Sequence, residues 1–106
     1  MEGLWIANFT AGAAHGSAIL VLRSGELIGG DLAHTYKGSW NEDGPSLNVR
    51  VQVDPWRPQE ALQSERREEP FMMTMTGSCS DKSASLQGHP DDRPGLLISV
   101  EMKRAA

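Results

Sequence analysis

Ser46-Leu47-Asn48-Val49-Arg50-Val51-Gln52-Val53 is the stretch that decides the fold. Leu47, Val49, Val51 and Val53 fall on one side of an extended chain, and Asn48, Arg50 and Gln52 on the other. The segment therefore reads as a strand with one dry face and one wet face. Its valines suit a pleated surface and lose side-chain freedom in a helix.

The same period of two recurs along the chain. Phe71, Met73 and Met75 alternate with Thr74 and Thr76, Ala84 and Leu86 with Ser85 and Gln87, and Ile98, Val100 and Met102 with Ser99, Glu101 and Lys103. Leu4-Trp5-Ile6-Ala7 and Ala18-Ile19-Leu20-Val21-Leu22 differ, because they are apolar on both faces and their outer face calls for a cover. Glycines and prolines lie between these short segments, as turns do in an all-β chain. Strands are predicted over 3–10, 16–23, 26–29, 34–41, 46–53, 71–79, 83–88 and 96–104. About eight antiparallel strands in a meander leave two open edges unless the sheet closes on itself. Closure gives a small up-and-down, lipocalin-like β-barrel; a two-sheet sandwich is the alternative.

Between the second and fourth of these strands, Gly29-Gly30-Asp31 reads as a structural turn. The glycines permit positive φ or a bulge, and Asp31 can bond its own backbone two residues on. Two connections are longer. Residues 54–70 are too polar and too extended for a hairpin and leave room between their prolines for one short helix. Residues 89–95, His-Pro-Asp-Asp-Arg-Pro-Gly, form a compact acidic turn.

With 106 residues there is room for one domain spanning 1–106 and one modest core. A formal net charge of -4 provides no electrostatic drive toward phosphate backbones, which argues against direct nucleic-acid binding. Cys79 is the single cysteine, so no intrachain disulfide forms and a reducing cytoplasm is the expected setting. No apolar run approaches the roughly 20 residues that a spanning helix needs, so no membrane association is expected.

No catalytic set, metal site or cofactor is expected. His15, His34 and His89 fall in separate connections or strand ends, without a second ligand at a metal-binding spacing. Ser78, Cys79 and Ser80 lack the glycines of a nucleophile elbow and any identifiable base. Glu68-Glu69 and Asp91-Asp92 are sequence neighbours, and neighbours on a strand diverge. Gly29-Gly30 is followed by no phosphate-binding pattern. Met72, Met73 and Met75 either fill the core or line an adaptable cavity, so a hydrophobic or lipid-like ligand in the barrel is one reading of the interior.

Gly3, Trp5 and Phe9, Gly16 with the Ile19–Leu22 run, Gly25, Gly29-Gly30-Asp31, Tyr36 and Gly38 together resemble the GrlR family, negative regulators of type III secretion. The likeness covers roughly the first half of the chain. It implies a lipocalin-like barrel, a homodimer, and a non-enzymatic transcriptional regulator that acts by binding a helix-turn-helix activator protein. The family's namesake binds its activator through an acidic Glu-Asp-Glu-Asp motif. At the matching place this chain has Asn41-Glu42-Asp43-Gly44, half of that motif, which makes Glu42 and Asp43 the candidate partner-binding residues.

The segments that are apolar on both faces provide the candidate dimer interface. One register turns Trp5, Phe9, Ile19 and Val21 outward; the other turns out Leu4, Ile6, Leu20 and Leu22. Each such side chain contributes roughly 1.5–3 kcal/mol when buried, so leaving a set of them wet forgoes much of a small domain's stability.

Overall fold

A computed structural model describes residues 1–56 and 69–106. The chain is all-β. Its strands are β1 (Gly3–Ala11), β2 (Ala14–Arg23), β3 (Glu26–Gly30), β4 (His34–Asp43), β5 (Ser46–Pro55), β6 (Phe71–Cys79), β7 (Ser83–Pro90) and β8 (Ile98–Arg104). Each pairs antiparallel with the next, and β1 pairs with β8 from Trp5↔Arg104 to Ala11↔Ile98, so the sheet closes into an eight-stranded up-and-down barrel. Closure satisfies both edges that an open meander would leave unpaired. The helix expected between residues 54 and 70 falls largely in 57–68, outside the described residues.

Tight hairpins set the register. β1 and β2 are joined by two residues, Gly12 at φ +63° and Ala13, while β2 and β3 turn through Ser24 and Gly25, both at positive φ. β4 and β5 turn through Gly44, at φ +61°, and Pro45. A positive φ at the first central residue matches the twist of the flanking strands. Because the β1–β2 loop holds an even number of residues, odd positions of β1 face even positions of β2: Trp5 lies opposite Leu20 and Ile6 opposite Ile19.

The inward rows are Trp5 and Ala7; Ala18, Leu20 and Leu22; Leu27; Leu47, Val49, Val51 and Val53; Met73 and Met75; Ala84 and Leu86; and Ile98, Val100 and Met102. Every one of these side chains is buried. At four further inward positions, Gly29, Gly38, Gly77 and Gly88, an added Cβ would strike the backbone carbonyl of a neighbouring strand. These glycines let the strands coil tightly enough to close.

Two expectations are corrected. Gly29 and Gly30 end β3 without positive φ, because the bend is made by residues 31–33 after them. The last strand begins at Ile98 and not at residue 96: the Leu96 amide donates to the Arg93 carbonyl at 3.0 Å, which keeps the chain in a turn, and Leu97 projects into solvent.

Candidate functional site

The described residues plug the barrel at one end. At the closed end Trp5, with no exposed surface, and Leu22 and Leu47 fill the section between the short hairpins. The Trp5 indole donates to the Met1 carbonyl at 2.9 Å, and the Arg104 guanidinium lies 4.8 Å from its ring centre. Above this plug lies a cavity of about 480 Å³, within the range of small-molecule sites. Its walls are overwhelmingly aliphatic, aromatic and methionine side chains, among them Phe9, Val51, Met73, Met75 and Val100. Of the two interior readings left by the methionines, Met73 and Met75 do both things: they are buried in the core and face the cavity.

The polar groups on the wall gather toward the end opposite Trp5: His34 and Tyr36 on β4, and Arg93 on the connection before β8. Asp31 organises the first two. Its Oδ1 accepts the Ala33 amide at 2.8 Å and the His34 amide at 2.7 Å, which is the side-chain turn that the sequence indicates. Its Oδ2 accepts the Tyr36 hydroxyl at 2.5 Å, and the His34 Nδ1 lies 3.4 Å from Oδ1. Burial pushes the Asp31 carboxyl up, but the hydroxyl, the two amides and His34 pull harder, and it lies below its ordinary value. The Tyr36 hydroxyl is pushed far up, by burial first and by Asp31 second. Trp56 braces the same loop, donating from its amide to the Ala33 carbonyl and from its indole to the Asp31 carbonyl.

On the outside of β1–β3 lies a strip of aliphatic side chains. Leu4 lies opposite Val21 and Ile6 opposite Ile19, and Val21 in turn lies opposite Ile28. Ile19 is 49% exposed and Ile28 54% exposed. Neither sequence-derived set matches this strip. Trp5 and Phe9 turn into the barrel, away from Ile19 and Val21, and Leu20 and Leu22 turn in, away from Leu4 and Ile6. The cause is the two-residue β1–β2 loop: a five-residue connection was expected there, and the change of parity swaps one strand's faces relative to the other. Ile28 was missed because β3 is too short to display its own alternation.

Glu42 and Asp43 sit at the closed end, just before the Gly44-Pro45 turn, and both are exposed. They do not act alike. The Glu42 carboxylate accepts a 2.8 Å hydrogen bond from the Met1 amine, which holds its pKa below the ordinary range, whereas among the described residues Asp43 carries no comparable partner. Burial and the neighbouring Glu42 carboxylate push the Cys79 thiol up, the opposite of what activates a cysteine nucleophile. Among the described residues no group of three His, Cys, Asp or Glu side chains could hold a metal ion. No helix of the described residues is long and apolar enough to cross a membrane.

No protein-family model and no curated protein sequence matches this chain.

Proposed function

We propose that this barrel is a non-enzymatic regulator that works by contact with other proteins. The supporting observation is the outer strip of Leu4, Ile6, Ile19, Val21 and Ile28: contiguous exposed aliphatic surface of this kind marks an interaction site. A second copy covers the strip, and the Glu42–Asp43 corner meets a basic partner. By the resemblance to the GrlR family, that partner is a transcriptional activator. Asp43 contributes most at this corner, since Glu42 is already engaged by the Met1 amine. The test is affinity capture from the source cell with the wild-type protein and with the Glu42→Ala/Asp43→Ala variant as baits. A specific partner that is retained by the first and lost by the second, more so at low salt, supports this function. Recovery of no specific partner by either bait contradicts it.

A second reading rests on the interior. An apolar cavity of about 480 Å³ suits a small hydrophobic molecule. Fluorescence enhancement of N-phenyl-1-naphthylamine on titration with the protein tests it. Saturable enhancement supports a ligand site, and none at micromolar protein contradicts it.

A further inference from the structure

The cavity wall is apolar except toward the end opposite Trp5, and the chemistry of that exception is specific. Tyr36 and His34 lie two residues apart on β4 and so share its inward face, with ring centres 6.4 Å apart. Both are oriented from behind by Asp31. A carboxylate only accepts hydrogen bonds, so the Tyr36 hydroxyl must donate its proton to Oδ2, which leaves the phenolic oxygen with unused lone pairs. Among the described residues nothing donates to that oxygen. The same carboxylate lies 3.4 Å from the His34 Nδ1, which holds that ring beside Tyr36 on the cavity wall.

Asp31 thus engages the one proton of the Tyr36 hydroxyl and leaves its oxygen as an acceptor. Arg93, the one cation on the wall among the described residues, lies on the exposed 91–97 connection beside Asp92. An ion pair formed there, in water, gains little.

We propose that the Tyr36 oxygen recognises a single hydrogen-bond donor, so that the cavity takes a neutral apolar molecule carrying one hydroxyl group in preference to a hydrocarbon or a carboxylate. The proposal rests on the interior being a ligand cavity. Asp31 is the positioning residue: it engages the Tyr36 proton and so leaves the phenolic oxygen to accept.

Three probes of one shape, naphthalene, 2-naphthol and 2-naphthoate, separate the possibilities when each competes with N-phenyl-1-naphthylamine for the wild-type protein. The expected result is 2-naphthol binding about tenfold more tightly than naphthalene, the equivalent of one net hydrogen bond, with 2-naphthoate weaker than 2-naphthol. In Tyr36→Phe, the preference for 2-naphthol over naphthalene falls. Equal affinities of naphthalene and 2-naphthol in the wild type overturn the proposal, and so does tighter binding of 2-naphthoate, which would make Arg93 the reader of an anion. If N-phenyl-1-naphthylamine does not enter the wild-type barrel, the cavity reading falls and takes this proposal with it. The wild-type series stands whether or not Tyr36→Phe folds.

Discussion

A side chain at position 29 has no space. An added Cβ at Gly29 would lie 2.1 Å from the Ile19 carbonyl oxygen and 2.9 Å from the Leu20 Cα, whereas at Gly30 the nearest atom is the His34 carbonyl oxygen at 3.3 Å. Gly29→Ala should therefore cost about 1–3 kcal/mol, as overpacking does, and Gly30→Ala less than about 1 kcal/mol. Denaturant unfolding of the two variants checks this, and equal losses would contradict it. The need for glycine in this pair was legible in the sequence, but its reason was not. Positive φ is a local property that a turn motif can suggest, whereas Gly29 is demanded by the approach of β2, a neighbour that the local sequence does not reveal.

Asp31 is the other residue whose role is double. Its carboxylate is satisfied by two amides and the Tyr36 hydroxyl, and removing it leaves a half-buried hydroxyl without its acceptor. Asp31→Ala should destabilise by about 1–3 kcal/mol at neutral pH. The folded state lowers the pKa of this group from its ordinary 3.8, so its contribution is whole at pH values well above 3.8 and is lost as pH falls through the folded value below it. The gap between wild type and Asp31→Ala should accordingly narrow in acid, as read by unfolding at pH 7 and pH 3. A gap that is unchanged at pH 3 would show that the ionised carboxylate is not what matters.

At the scale of the elements, the β2–β3 hairpin carries a small and removable strain. Ser24 sits at φ +53° and is followed by Gly25 at φ +80°, the pattern of a turn that prefers Asn-Gly. Ser24→Asn should stabilise the protein by about 0.5 kcal/mol, since only the backbone amide of Ser24 is used, bonding the Glu2 carboxylate. A melting temperature at or below that of the wild type would contradict this. Strands such as β5 were legible because four inward aliphatic residues alternate with polar ones without interruption. The start of β8 was not, because Leu96 and Leu97 continue an apolar run that the turn at Arg93 cuts short. Where β1 and β2 each carry two apolar faces, composition cannot say which residues share a side; only the loop length can.

For the whole molecule, closure made the barrel inferable from strand count and from the need to remove edges, while the interior stayed out of reach. A cavity volume depends on how far the strands coil, on the glycines at inward positions and on where Trp5 lodges. None of these is a property of any one segment. The outer strip is likewise a product of assembly, since it joins Leu4 and Ile6 of β1, Ile19 and Val21 of β2 and Ile28 of β3 through strand pairing alone.

The proposed function depends on that strip being covered. Ile6→Lys/Ile19→Glu places opposite charges on facing exposed positions, so the barrel itself should lose little stability, while burial of the strip against another copy becomes costly. Sedimentation velocity of the wild type and this variant at micromolar concentration tests the claim most directly. The account predicts a dimer for the wild type and a folded monomer for the variant; a wild type that sediments only as monomer, or a variant that remains dimeric, would contradict it.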